Sequence, residues 1–176
     1  MEKTEERIIT YLEMTDPDDL RPAPAVPGLG LLRLDPGSPL VRSVHAGVGE
    51  PHNWRAASRR EEEWDAHLAA RPLRQFWVVT LDEEPIGVSY LEPQADGDVE
   101  IVAFGLLPHH VGRGLGGYAL TLGLRQAWAT EPLDAPAARR VWLHTCDTDH
   151  PHALGNYKKR GLRPYREERL PVRRQP

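Results

Sequence analysis

The chain has 176 residues, 40% of them hydrophobic, and a formal net charge of −4 from 22 Lys and Arg against 26 Asp and Glu. That length suits one domain, residues 1–176, with a core of its own, and is too short for two ordinary domains. The mixed charge excludes a broad basic footprint for nucleic acid or anionic membrane, and no stretch nears the ~20 apolar residues of a membrane span. A single cysteine, Cys146, excludes an internal disulfide and fits a reducing compartment.

The chain opens on charge, MEKTEERIITYLEM, without the apolar run and small-residue cleavage site of a secretory signal, so a cytoplasmic location is expected. Within it, ERIITYLEM is rich in β-branched and aromatic residues and reads as a strand closed by the turn-forming TDPDD. A second strand, LGLLRLD, follows a proline-rich stretch, and SPLVRSVHAGV reads as a short helix. The segment SRREEEWDAHLAA reads as a helix with Ser58 and Glu61 as a capping box, Trp64 and Leu68 one turn apart and Pro72 as its stop. Three strands then follow with short turns: QFWVVTL, IGVSYLE and VEIVAFGLL, an antiparallel meander. A helix from Gly116 to about Ala129 carries an apolar stripe at Leu120, Leu124, Ala127 and Trp128, and Gly116 and Gly117 let its first turn approach the sheet closely. RRVWLHTC is a strand, Pro151 to about Arg160 a short helix, and LRPYREERL a last strand. The crossover implies that VEIVAFGLL and RRVWLHTC run parallel, giving an α/β fold with a mixed, mostly antiparallel sheet. The basic segment 163–176 reads as a solvated terminus.

The stretch HHVGRGLGG concentrates four glycines in six residues at the head of a helix. Amides at a helix start have no intrahelical partners and carry partial positive charge, so the segment suits an anion such as a pyrophosphate, with Arg113 adding a formal charge. A Walker-type loop would need Gly-Lys-Ser/Thr where this chain has Gly-Gly-Tyr. A dinucleotide fingerprint is matched literally by Gly112, Gly114 and Gly117, but the acidic residue at the expected distance, Asp134, lies in a proline-rich loop.

The residues Val111, Gly112, Arg113, Gly114, Leu115 and Gly116 resemble motif A of the GNAT superfamily of acyl-CoA-dependent N-acetyltransferases, Gln/Arg-x-x-Gly-x-Gly/Ala. The departure is Val111, which loses a side-chain donor and keeps its backbone amide. Downstream, HALGNYKKRGL resembles the family's Ala-x-x-x-Tyr-x-x-x-Gly-Phe segment through Ala153, Tyr157 and Gly161, with Leu162 replacing the aromatic. The resemblance spans about Arg74 to Tyr165. It implies a sheet whose central parallel strands splay around the cofactor with helices on both faces. It implies acetyl-CoA as cosubstrate, held by Phe104, Leu106, Val111, Gly112, Arg113, Gly114, Leu115, Gly116 and Gly117, with the Leu106 amide receiving the thioester oxygen. The expected reaction is direct acetyl transfer to a primary amine of a small molecule or peptide. A domain that binds acyl-CoA without catalysis, and a nicotinamide-dependent oxidoreductase, are the rival readings.

Transfer to an amine needs the neutral nitrogen, which for a lysine-like amine at pH 7 is of order one part in a thousand. Strand alternation puts Glu100 beside Val102, Phe104 and Leu106, a carboxylate on an apolar face suited to a general base, or else at the strand's mouth facing solvent. Its spacing before motif A matches that of the acidic base in histone-type members. Tyr157 holds the family's position for the group that protonates the departing thiolate, its rival roles being to orient the sulfur or to fill the core. For the acceptor, the segment His45 to Trp54 reads as a loop with His52, Asn53 and Trp54 together, Trp54 either a lid or a core plug. His144 shares strand parity with Trp142 and Cys146 and either lines the cleft or is a satisfied buried histidine. In HTCDTDHPH, the Cys, Asp and His spacing fits no zinc pattern, and Asp149 or His150 as a helix cap before Pro151 explains it; no metal is expected. Expected partners are the amine substrate alone, without nucleic acid or membrane; a homodimer is compatible with the sequence.

Overall fold

A computed structural model describes residues 5–172; the first four residues and the last four of the basic terminus lie outside it. Seven strands make one sheet in the order β2-β3-β4-β5-β6-β1-β7. β2 (Leu29–Leu34), β3 (Gln75–Leu81), β4 (Glu84–Pro93) and β5 (Asp98–Leu106) pair antiparallel in succession. The hairpin between β3 and β4 turns on Asp82 and Glu83, both with positive φ (49° and 70°), the handedness that a two-residue turn between twisted strands requires. β1 (Glu6–Met14) lies between β6 (Arg140–Cys146) and β7 (Arg163–Pro171), antiparallel to both.

Helices cover both faces. On one lie α4 (Gly116–Ala129) and α5 (Ala153–Lys159), whose Leu120, Leu124 and Tyr157 join Leu12, Leu91, Ile101 and Leu143 in a buried cluster. Each fully buried leucine of that stripe contributes roughly 1.5–3 kcal/mol. On the other face α1 (Pro39–Gly49) packs Val41, Val44 and Val48 against Phe76, Val88, Tyr90 and Ala103, and the Tyr90 hydroxyl donates to the Val41 carbonyl at 2.7 Å. Ser38 caps α1, its hydroxyl accepting from the Leu40 amide.

Four local expectations are corrected. Ser58 and Glu61 form no capping box: Ser58 ends a separate turn, α2 (Arg55–Ser58), and donates to the Arg55 carbonyl, while α3 (Glu61–Ala69) starts after Arg60 without a side-chain cap. The segment His45–Trp54 is not a loop, because α1 runs through Gly49 and a 3-10 turn occupies Glu50–His52, closed by Asn53 at φ 54°. The close approach of α4 to the sheet is made by Gly123, where a Cβ would lie 2.5 Å from Ser89 Oγ; Gly117 instead abuts Arg160 and Ala23. Asp149 and His150 do not cap α5, which begins after His152.

β5 and β6 pair in parallel only at Asp98, Val99 and Glu100 opposite Arg140, Val141 and Trp142. Arg140 fastens this closed end, donating to Asp98 on β5 at 3.0 Å and to Glu13 on β1 at 2.5 Å. Beyond Glu100 the strands separate, and the wedge between them holds the site.

Candidate active site

Two adjoining cavities occupy the wedge, of about 510 Å³ and 440 Å³. His52, Trp54, Phe104, Asp149 and Tyr157 line both and form the boundary between them.

The first cavity is walled by the end of β5 and the start of α4. Phe104, Leu106, Val111, Gly112, Gly114, Gly116 and Gly117 all line it. Gly112 and Gly114 have φ of 78° and 74°, and a Cβ built on either meets nothing within 4 Å. The glycines therefore answer to backbone conformation, and the volume beside them is open to a ligand. No side chain caps α4, so its first amides retain their capacity for an anion. Two side chains of the expected set do not line this cavity. Arg113 is exposed on the outside of the loop, and Leu115 is buried against Leu29, Val79, Ile86 and Ala119. The opposite wall is α5, with Asn156, Lys159 and Arg160, which the sequence reading did not single out. Asn156 donates to the Gly116 carbonyl at 3.1 Å and ties the two walls together. Helix-start amides without a side-chain cap, a volume of this size and two basic side chains fit an anionic ligand such as a pyrophosphate.

Tyr157 is buried between the cavities with its ring edge-on to Phe104. Burial, and secondarily the Asp149 carboxylate, push its phenol above the ordinary value, so it holds its proton at neutral pH. Asp149 is fixed by three donors: Trp54 Nε1 at 2.8 Å, Thr145 Oγ1 at 2.7 Å and the Cys146 amide at 2.9 Å. Trp54 is thereby clamped at the boundary and is neither a detached lid nor a fully buried plug.

The second cavity takes in His52, Asn53, Trp54 and His144. Glu100 lines neither cavity. A ladder irregularity between Tyr90 and Leu91 leaves Val102 as an extra residue on β5, so Ile101 and Phe104 pack toward α4 and α5 while Val102 and Ala103 pack toward α1. Regular alternation fails there, and Glu100 does not share a face with Phe104. Glu100 lies behind His144, with Oε1 3.8 Å from His144 Nδ1. Its Oε2 accepts from Gln94 at 3.1 Å, and Gln94 in turn accepts from Trp142 Nε1 at 2.9 Å. Burial raises the Glu100 carboxyl above its ordinary value, against the opposing pull of Arg74. Desolvation draws the half-exposed His144 imidazole below its ordinary value, against the pull of Asp149 and Glu168, and its ring stands on the cavity wall. Among the described residues no group of three or more His, Cys, Asp or Glu side chains could hold a metal ion, and no helix is long and apolar enough to cross a membrane.

The model of the Acetyltransferase (GNAT) family matches residues 44–162. The fold is similar to a GCN5-related N-acetyltransferase from Kribbella flavida, with TM-score 0.61 and 19% identity over 89% of this chain and 54% of that one. It is also similar to a GCN5-related N-acetyltransferase from Sphaerobacter thermophilus, with TM-score 0.62 and 17% identity over 96% of this chain and 52% of the other. A tandem GNAT protein from the clavulanic acid biosynthesis pathway gives TM-score 0.60 and 18% identity over 94% and 52%. The chain thus spans about half the length of these structures. No curated protein matches it.

Proposed function

The chain belongs to the GNAT acetyltransferase family, and on that premise we propose that it moves an acetyl group from acetyl-CoA directly to a primary amine of a small molecule or peptide. The observation that carries this reading is the pair of cavities meeting at Tyr157: glycine amides lie on one side and a histidine backed by a buried carboxylate on the other.

Acetyl-CoA supplies an acyl group already activated as a thioester. The amides of Gly112 to Gly117 bind its pyrophosphate, and Lys159 and Arg160 add charge from α5. Leu106, at the mouth of β5, supplies the backbone amide for the thioester oxygen. The acceptor enters through the second cavity. His144 takes the ammonium proton at the cavity wall, and the ionised Glu100 carboxylate behind it stabilises the resulting imidazolium and so raises the basicity of the ring. Tyr157, still protonated, faces the departing sulfur and donates to it. A thiol of pKa near 8.5 is already a tolerable leaving group, so Tyr157 contributes a factor and does not decide the reaction.

The test is thiol release from acetyl-CoA with a panel of primary amines, beside a binding measurement with acetyl-CoA alone. Amine-dependent release supports transfer. Tight acetyl-CoA binding without release for any amine replaces transfer by binding, and stabilisation by NAD in place of acetyl-CoA refutes both.

A further inference from the structure

The second cavity is cationic. Arg7, Arg55, Arg59 and Arg74 line it against one carboxylate, Asp149, whose oxygens are already engaged by Trp54, Thr145 and the Cys146 amide. Arg74 is only partly compensated: Nη2 donates to Glu92 at 2.9 Å and Nη1 to His67 Nε2 at 3.2 Å, but its buried Nε has no partner. Arg59 lies over the Trp64 ring, with Cζ 4.4 Å from the centroid, and its buried Nη1 has no partner either. The nearby Glu63 is held by Arg60 at 2.9 Å. His45 Nδ1 is a third buried and unpartnered nitrogen on the same wall. Buried donors are normally satisfied, and leaving one unmade costs roughly 1–3 kcal/mol. Two of the three nitrogens belong to guanidinium groups that line the cavity, so its lining carries positive charge that its own carboxylate does not balance. The crowding is also felt by His67, which burial and then Arg59, Arg71 and Arg74 lower to about 4.

We infer that this cavity binds an anionic group of the acceptor, so that the substrate is a small amine that also carries a carboxylate or a phosphate. The inference rests on the reading of the second cavity as the acceptor side. A guanidinium fork matches either anion, and Arg59 and Arg74 bring guanidinium groups of that type to the cavity lining. A polyamine is disfavoured by the same reasoning, because its second ammonium would enter a cavity with four arginines and no available carboxylate.

The experiment is calorimetric binding to the full chain at pH 7, using α- and β-amino acids each against its amide, phosphoethanolamine against ethanolamine, and propanediamine. At least one anionic amine is expected to bind tenfold or more tighter than its uncharged counterpart, and the carboxylate and phosphate arms tell which anion is preferred. Arg59→Gln should reduce that preference to within about threefold, and Arg59→Lys should restore part of it. Equal binding of acids and amides, tighter binding of the diamine, no binding of any anionic probe at about 10 mM, or a preference that survives Arg59→Gln would each overturn the proposal. The wild-type comparison needs no variant, so a poorly folding substitution leaves the test intact. Thiol release with the same compounds separates the two readings: anion preference without release sinks acetyl transfer and keeps the subsite, whereas release with diamines alone does the reverse.

Discussion

His45 gives the sharpest prediction, because its magnitude follows from its surroundings. Its ring sits edge-on among Trp54, Trp64 and Tyr90, at centroid distances of 5.9, 5.6 and 5.0 Å. The groups that act on its charge, Arg59, His67 and Arg74, are all basic, the neighbouring Tyr90 phenol being held protonated by burial, and burial followed by these three lowers the His45 pKa from 6.5 to about 3. The native state therefore leaves His45 neutral where the unfolded chain protonates it. A group depressed in this way gives its full stability above pH 6.5 and loses it progressively as pH falls toward 3. Between pH 6.5 and 5 the loss is about 1.5 units at 1.36 kcal/mol each, or roughly 2 kcal/mol. His45→Phe keeps a ring among the aromatics, removes the unpartnered nitrogen and removes the titration. Urea unfolding of both proteins at several pH values from 7 to 5 measures the difference, since every other titration is shared. Wild type should fall by about 2 kcal/mol more than the variant over that range. Equal slopes would mean that His45 reaches solvent or an acid in the native state, and the description of the cationic wall would fail with it.

The remaining predictions concern the cleft. Gly114→Val forces a β-branched residue to φ 74° and fills the open volume beside it; it should abolish the stabilisation by acetyl-CoA, about 2.7 kcal/mol at a hundred times the dissociation constant, as read by melting with and without ligand. Tyr157→Phe keeps the packing on Phe104 and should lower turnover roughly ten- to a thousandfold with acetyl-CoA affinity within a few-fold; normal turnover would return Tyr157 to the core. Glu100→Gln retains an acceptor for Gln94 but not the charge behind His144, and should cost on the order of 10²-fold at neutral pH, with a deficit that shrinks towards pH 9–10 as the amine loses its own proton. Parallel pH profiles for kcat, with only KM raised, would make Glu100 an anchor instead.

Much of the fold was legible because its signals are local. The β-branched run of β1, the period of α4 and the glycines before it act through near neighbours, and all seven strands were recoverable that way. The position of β1 between β6 and β7 was not, since pairing partners of an edge-of-sequence strand depend on register across more than a hundred residues. The capping box at Ser58 failed because Ser58 closes α2 and the extended backbone of Arg59 and Arg60 separates it from α3, a break that no letter of SRREEEW marks. Glu100 was misplaced by a single extra residue, Val102, because an alternation argument inverts at every bulge and nothing in VEIVAFGLL marks one.

The two cavities of the cleft differ in how sequence can encode them. Amides at a glycine-rich helix start form a site from contiguous residues, so nine consecutive letters were enough to propose an anion there. The second cavity is built from β1, α1, α2, α3, β5, β6, α5 and the turns between them, and each contribution is a residue with a bland local explanation. Asp149 illustrates the point: as a letter it fits a helix cap, yet its carboxylate reaches Trp54, 95 positions away. That bond has a consequence for the chemistry. Trp54 precedes α2 and Asp149 lies on the loop leading into α5, so their contact fixes the boundary at which Tyr157 stands. Asp149 has its oxygens committed to three donors, so it can shape that boundary without accepting a substrate's proton; in the mechanism we propose, this leaves His144 and Glu100 as the route for the proton and the arginines as the site of the anion.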